Sequence, residues 1–294
     1  MRRSVAAVPV FIAVLSAGMG TPVGAKTDLS LVPTTPWNLD GTDAGCALRR
    51  AFGNAATPLI LEMRRFAPAD DFQFTVNGEE ISGLVRSSAA KVEITYGDLP
   101  PGTARGFQEG NTEREGKKYP AIFLTSSLGS RADEDEDTPQ PTVTPEMEAG
   151  ARRITLSWGG NRVVLNTGSL GKPFAAMRLC TDSLVESWGL DPAVQNGLTR
   201  RARPGSLMSM VRGIQAIYPV GLAGKGKQAR VNFLALVDER GVVTDCHVLQ
   251  SYNDPGFDDL ACRVVRKTTF EPALDKDGKP VPSFYAQTVM YKLG

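Results

Sequence analysis

The chain has 294 residues, of which 41% are hydrophobic and 22% are charged, a composition typical of globular proteins rather than of disordered or fibrous ones. Its 33 basic and 32 acidic residues give a formal net charge of +1, whereas nucleic-acid-binding proteins usually carry a basic excess. Because His247 is the one histidine, a multi-histidine metal site is excluded, and a Ser-His-Asp or Cys-His centre would have to use that residue.

The first 25 residues have the three-part pattern of a secretory signal peptide. Two arginines precede an apolar run from Val5 to about Met19, and small residues lead up to Ala25. We expect cleavage after Ala25 and a periplasmic mature protein. The alternative is an uncleaved membrane anchor, but the run is shorter than the ~20 apolar residues of a spanning helix and contains Pro9.

Residues 26–45 are polar and rich in turn-forming residues, and they predict an extended segment. Residues 46–190 contain several runs in which apolar and polar residues alternate, as they do in half-buried strands. One such run ends at the dipeptide Asn77-Gly78, a hairpin-turn signal that predicts a return strand directly after it. Residues 97–118 are rich in glycine and charge and predict a long loop.

Residues 131–148 include three prolines and five consecutive acids, Asp133 to Asp137, and predict a mobile acidic loop. The acids lack the glycine and the ordered ligand spacing of a calcium loop. Apolar residues at helical spacing from Phe174 to Trp188 then predict a helix. We therefore expect residues 46–190 to form one β-rich domain closed by a helix, and residues 191–209 to form a linker.

Residues 210–294 show the order helix, strand, strand, helix, strand. The two central strands, 229–237 and 242–251, are joined by a turn that ends in glycine, and Asp254-Pro255 begins the second helix. The final strand runs from Phe284 to Leu293. This order predicts a small antiparallel sheet with two helices on one face, and the chain as a whole is predicted to be an α+β protein.

Six short motifs in this region, which keep the order and the spacing of the family pattern, resemble the C-terminal domain of the TonB family. They are Tyr-Pro, a strand followed by Asp-x-x-Gly-x-Val, a serine after the second strand, Phe-Asp-x-x-Ala, Phe-x-Pro-Ala and Asp-Gly-x-Pro-Val. The motif positions are Tyr218, Pro219, Gly241, Ser251, Phe270, Pro272 and Gly278. The runs around Cys46 and Cys180 resemble uncharacterised exported alphaproteobacterial proteins that carry such a domain, and they imply no activity.

The resemblance implies a non-enzymatic periplasmic protein of the bacterial envelope. In the family this domain binds outer-membrane transporters, and an extended peptide of the partner is added to an edge of the sheet. The predicted contact residues lie in the final strand and are Phe284, Tyr285, Gln287, Val289 and Tyr291. A homodimer that pairs through this final strand remains an alternative. No cofactor, metal or nucleic acid is expected, and membrane contact is expected only if the signal is uncleaved.

Two other functions remain as alternatives. The first is a membrane-anchored energy transducer, although the transducers of the family have an uncleaved membrane helix and a proline-rich spacer where this chain has a β-rich domain. The second is an enzyme hosted in residues 46–190. That segment has no histidine, and its adjacent acids Asp70-Asp71 and Glu79-Glu80 would point to opposite faces of a strand.

An even number of cysteines in an exported chain favours disulfides over buried free thiols. Cys246 lies on a predicted strand and Cys262 on the helix that follows and packs on it, so the two sulfurs can reach one interface. Cys46 and Cys180 lie in the first segment and the closing helix of the β-rich domain. We predict the pairs Cys46–Cys180 and Cys246–Cys262, because the other pairings would cross the linker.

The signal pattern makes a testable prediction about the mature N-terminus. Expressed in its native host type, the protein should begin at Lys26 and fractionate with soluble periplasmic material. Mass spectrometry of the purified protein and of the membrane pellet checks this. Intact residues 1–25 in the pellet would favour the anchored transducer instead.

Overall fold

The computed structural model describes most of the chain, namely residues 28–69, 71–82, 92–99, 102–128, 143–252 and 255–291. The predicted signal peptide, residues 1–25, lies outside these ranges. Among the described residues, no helix is both long enough and apolar enough to cross a membrane. Strands and helices are numbered in chain order.

Two sheets form the N-terminal unit. The smaller sheet consists of β1 (Asp28–Leu31), β6 (Glu93–Tyr96), β7 (Gly102–Thr103), β10 (Ile154–Trp158) and β11 (Asn161–Leu165), in the spatial order β1-β11-β10-β6-β7. The larger sheet consists of β2 (Asn38–Thr42), β3 (Gly45–Phe52), β4 (Leu59–Arg65), β5 (Asp71–Asn77), β8 (Arg105–Arg114) and β9 (Lys117–Ser127), in the order β2-β3-β4-β5-β9-β8. Only the β1–β11 pair is parallel among these neighbours.

The core of this unit lies between the inner faces of the two sheets. Along β4 and β5 every second side chain is buried, as the two-residue period of a half-buried strand requires. These side chains pack with apolar residues of the smaller sheet into one cluster, whose members include Leu61, Met63, Phe72, Phe74, Ile94, Leu156 and Val163. The alternation seen in the sequence therefore gives the inner face of this sheet correctly.

Two helices, α1 (Pro145–Gly150) and α2 (Gly171–Ser187), complete the N-terminal unit. The buried side chains of α2 face the sheet, and the rings of Phe174 and Phe72 lie 4.7 Å apart. A disulfide between Cys46 in β3 and Cys180 in α2 fixes the helix to the larger sheet, with 6.1 Å between the Cα atoms. The predicted closing helix and this predicted disulfide are both confirmed.

The C-terminal unit has short elements around one three-stranded sheet. Its helices are α3 (Pro192–Asn196), α4 (Leu207–Ala216), α5 (Val220–Ala223) and α6 (Asp258–Val265). Its strands are β12 (Arg203–Pro204), β13 (Ala229–Val237), β14 (Val243–Tyr252), β15 (Phe270–Glu271), β16 (Ala273–Leu274), β17 (Pro280–Val281) and β18 (Ser283–Tyr291). The main sheet is antiparallel and has the order β14-β13-β18.

Helices α4 and α6 cover one face of this sheet. Apolar residues of both helices pack on the β13 side chains Val231, Phe233 and Ala235. The second disulfide, Cys246–Cys262, joins β14 to α6, with 5.5 Å between the Cα atoms. The predicted element order, the pairing of all four cysteines and the α+β class are confirmed.

Two predictions about the larger sheet are wrong. Gly78 has an extended backbone, with a φ of 161°, instead of the positive φ that a tight hairpin turn needs, and residues Glu79–Ile81 form a 3₁₀ helix. The antiparallel partner of β5 is β9. Residues 97–118, predicted to be a loop, contain β8, which is joined to β9 at Glu115-Gly116, where both φ angles are positive.

Two boundaries also differ from the prediction. Residues 131–142 of the predicted loop 131–148 lie outside the described residues, and the last residues of that loop belong to α1. Thr144 caps this helix by accepting a hydrogen bond from the Met147 backbone N–H, and buried Glu148 accepts one from Arg178 at 2.6 Å. The β-rich unit also begins before Cys46, because β1 and β2, which lie in the predicted extended segment, pair with β11 and β3.

Residues 191–209, predicted to be a linker, are folded onto the C-terminal unit. They contain α3 and β12, and β12 pairs with β15. The arginines of this segment make specific contacts: Arg203 pairs with Glu271 at 2.8 Å, and Arg200 donates to the carbonyl of Pro272 at 3.0 Å. The linker prediction missed these contacts because the partners of the arginines lie about 70 residues further along the chain.

Alanine substitutions at two turn glycines of the C-terminal unit should differ in how much they lower the free energy of unfolding. Gly241 and Gly278 both have a positive φ, 79° and 75°. A Cβ at Gly241 would lie 2.0 Å from the carbonyl oxygen of Phe270, whereas a Cβ at Gly278 would contact nothing within 4 Å. Gly278→Ala should therefore lower the free energy of unfolding by about 1–2 kcal/mol through its backbone alone. Gly241→Ala should cost about 1–3 kcal/mol more. Chemical denaturation of both variants measures this, and equal losses would contradict the predicted clash.

Candidate functional site

The predicted binding strand, β18, is an edge strand. One side of it pairs with β13 from Ser283 to Tyr291, and no strand of the described residues pairs with its other side. Side chains of α3 and α4 contact the two ends of that outer side. Gln195 donates to the carbonyl of Pro282 at 3.0 Å, and Gln215 donates to the carbonyl of Met290 at 3.1 Å.

These two contacts indicate which backbone groups point outwards. In an antiparallel strand the N–H and C=O of one residue point to the same side, and successive residues alternate. Pro282 and Met290 are eight positions apart, an even offset, so we infer that Phe284, Ala286 and Thr288 between them also direct their backbone groups outwards. The open stretch of the edge is thus about five residues long.

Most of the side chains predicted to contact a partner are packed inside the protein. Tyr291, Val289 and Phe284 are buried, Tyr285 is half-buried and Gln287 is exposed. Tyr285 lies 5.2 Å from the ring of Phe270, and burial raises the pKa of its phenol to about 12. A partner at this strand would therefore contact the backbone and Gln287, rather than the aromatic side chains.

The sequence motif positions hold the C-terminal unit together. Gly241 lies in the turn after β13, and its carbonyl accepts a hydrogen bond from the backbone N–H of Phe270 at 3.1 Å. Tyr218 packs edge-on against Phe257 and Tyr291, with ring centroids 5.2 and 5.8 Å away, and its hydroxyl donates to the carbonyl of Lys227. These positions shape the turns and the core that support β18.

The other motif positions have similar structural roles. Pro219 precedes α5 as its N-cap residue, and Ser251 lies on β14 opposite Val231. The carbonyl of Pro272 accepts from Arg200, and Gly278 closes the β16–β17 turn by donating to the Asp275 carbonyl at 3.1 Å. The motif positions thus have roles in the fold of the unit and do not identify its binding surface.

Residues 215–293 match the model of the family described as "Gram-negative bacterial TonB protein C-terminal". The chain carries a TonB C-terminal domain. Among solved structures, it is similar to the solution NMR structure of the Pseudomonas aeruginosa TonB CTD, with 27% sequence identity and a TM-score of 0.23, over 26% of this chain and 77% of that one. No curated protein sequence matches the chain.

The TonB domain contains the three-stranded sheet of the C-terminal unit, and the face of this sheet opposite α4 and α6 packs on the N-terminal unit. The apolar part of this contact joins Leu234 and Phe284 of the sheet to Phe66 and Val185 of the N-terminal unit. The indole ring of Trp188, just after α2, lies 5.2 Å from the ring of Phe284. This contact buries Phe284, which sequence reasoning placed at the partner surface.

The polar part of the contact is a cluster of three side chains. Gln73 Nε2 donates to Asn232 Oδ1 at 2.7 Å and to Thr288 Oγ1 at 2.6 Å, and Thr288 Oγ1 in turn donates to Asn232 Oδ1 at 2.7 Å. Asn232 is 1% exposed, and its Nδ2 makes no hydrogen bond to the residues that the structure describes. Gln73 and Asn232 occur in alternating strands, where an outward polar residue is ordinary, so no sequence signal connects them.

A cleft of about 350 Å³ lies between the two units beside this cluster. On one side it is lined by β18, from Ala286 to Met290, and on the other by the end of β4 and the residues that follow. Polar lining residues that sequence reasoning did not connect with β18 are Arg64, Arg65, Asp71, Gln73, Arg230 and Asn232. The open edge of β18 therefore faces a polar cleft that both units build.

The described acids among those considered for an enzyme site lie on β5 and in the 3₁₀ helix after it. Glu79 pairs with Lys117 at 3.0 Å, while Asp71 lies on β5, and Asp70 is outside the described residues. His247 is exposed on β14, and its Nδ1 lies 3.3 Å from Asp245 Oδ2. No group of three potential metal ligands occurs in the described ranges.

The polar cluster predicts an energetic coupling between the two units. Gln73→Ala and Thr288→Val each remove hydrogen bonds in the same cluster, so their effects on the free energy of unfolding should differ from additivity by about 1 kcal/mol. Denaturation of the two single variants and the double variant measures this. The control pair Gln73→Ala and Thr155→Val, with Thr155 buried in the smaller sheet, should be additive. Additivity in both pairs would contradict the contact.

Proposed function

We propose that the protein is a non-enzymatic binding protein of the bacterial envelope, and that its TonB domain takes up an extended segment of a partner along the outer edge of β18. TonB C-terminal domains belong to envelope proteins that interact with outer-membrane transporters, which supports an envelope partner of that kind. The periplasm as its location rests on the signal pattern of residues 1–25.

The open edge of β18 is the observation that carries this proposal. Strand addition satisfies outward N–H and C=O groups by backbone hydrogen bonds, so it needs an unpaired edge and few particular side chains. Contacts from Gln195 and Gln215 close the ends of the edge and leave the stretch between them for a short added strand. The burial of Phe284, Val289 and Tyr291 fits this mode, because those side chains keep the strand in place.

The test uses a photo-crosslinking amino acid at Gln287, the exposed position of β18, in cells of the native host type. We expect an adduct with an envelope protein. The matched control is the same amino acid at His247, an exposed position on β14, the other edge of the sheet. It should give no such adduct.

A second variant tests the backbone contact itself. Ala286→Pro removes one outward N–H, and proline is tolerated at a strand edge, so the protein should remain folded while the Gln287 adduct falls at least tenfold. Gln287→Pro, assayed for stability alone, should instead lose a hydrogen bond to β13 and unfold at lower denaturant concentration. An adduct that Ala286→Pro leaves unchanged, in a folded protein, would contradict strand addition at β18.

A further inference from the structure

The cleft beside β18 is lined by several hydrogen-bond donors. Three arginines line it, Arg64, Arg65 and Arg230, together with the amide of Asn232, while Asp71 is its one acidic lining residue among those described. Arg230 is 7% exposed and donates to Thr125 Oγ1 at 3.4 Å. An ionised carboxylate is a group that only accepts hydrogen bonds, so it suits a cleft lined by donors.

Arg64 is the most informative of the three arginines. Its Nε donates to Glu62 Oε1 at 3.0 Å, and its side chain is 11% exposed. Burial opposes the charge on Glu62, but Arg64 and Arg49 outweigh that effect and hold the pKa of this carboxyl below its usual value. The pair therefore stays charged, and the two terminal nitrogens of Arg64 have no hydrogen-bond partner among the described residues.

Asn232 supplies a second, independent donor. It is almost completely buried, and it lines the cleft while its Oδ1 accepts from Gln73 and Thr288. Those two bonds fix the orientation of the amide, so the unpaired Nδ2 is held in one place. An unmade hydrogen bond at a buried amide is unfavourable, and a ligand oxygen would supply the missing acceptor.

The position of the cleft indicates where a ligand oxygen comes from. Ala286, Gln287, Thr288 and Met290 of the open edge line the same cleft. Side chains of an added strand alternate between the two faces of the sheet, and those on the face of Asn232 would enter the cleft. We propose that the partner segment carries an aspartate or glutamate there, whose carboxylate accepts hydrogen bonds from Arg64 and Asn232.

This inference rests on strand addition at β18 and adds the chemistry of the partner. The donors belong to both units, so the N-terminal unit contributes specificity to a binding edge that lies in the TonB domain. A segment with glutamine at the critical position would keep the backbone hydrogen bonds and lose the charge-assisted ones. We expect about tenfold weaker binding for such a segment.

The experiment is a selection of random twelve-residue peptides on the purified full-length protein, followed by affinity measurements on the enriched sequences. The enriched peptides should share an acidic residue within an alternating apolar segment. Replacing that acid by its amide should weaken binding about tenfold for the wild type. The Arg64→Gln variant should bind the acidic peptide and its amide equally, and Arg64→Lys should restore part of the preference for the acid. The control Arg162→Gln should behave as the wild type, because Arg162 is exposed on β11.

Melting curves establish that the Arg64 variants are folded, and Ala286→Pro separates the two proposals. Peptides that need the β18 edge but show no acid preference would overturn the carboxylate site and leave strand addition standing. Enriched peptides whose binding is unaffected by Ala286→Pro, or an absence of enrichment, would overturn both. Glutarate is the probe for a free small carboxylate, and binding that depends on Arg64 for glutarate but not for any peptide would overturn the partner segment as the occupant.

Discussion

The central strand of the TonB domain is buried on both of its faces, and the rest of the structure depends on this constraint. Val231, Phe233 and Ala235 of β13 point to α4 and α6, while Asn232 and Leu234 point to the N-terminal unit. A sheet with both faces apolar must be covered twice, because about 25 cal/mol is lost for each Å² of apolar surface left in water. The N-terminal unit therefore serves as the second layer of the TonB domain.

This packing leaves the edges of the three-stranded sheet as its accessible parts. Glutamines of α3 and α4 occupy the two ends of the β18 edge, and the end of β4 approaches it from the N-terminal unit. In the proposed binding mode, the backbone of β18 supplies hydrogen bonds that any extended segment can use, whereas Arg64 and Asn232 distinguish one segment from another. Under this proposal, affinity and selectivity come from different groups of the protein.

The sequence predicted those features that depend on local pattern. Alternation gave β5 and β13, helical spacing gave α2, and the position of each cysteine on its element gave both disulfides. It did not predict the cleft, because Gln73 and Thr288 are 215 positions apart in the sequence and each looks like an ordinary polar strand residue. It also misplaced Phe284, since an apolar side chain on an edge strand fits a partner surface and an internal interface equally well.

The most direct measurement of the central claim is amide hydrogen exchange by NMR, residue by residue, with and without a bound peptide. Without peptide, the amides of Ala286 and Thr288 should exchange faster than those of Tyr285 and Gln287, which face β13. With peptide, Ala286 and Thr288 should become protected while the exposed edge of β14 does not change. Protection that appears on β14 alone, or equal protection of all four β18 amides before peptide is added, would contradict an open binding edge at β18.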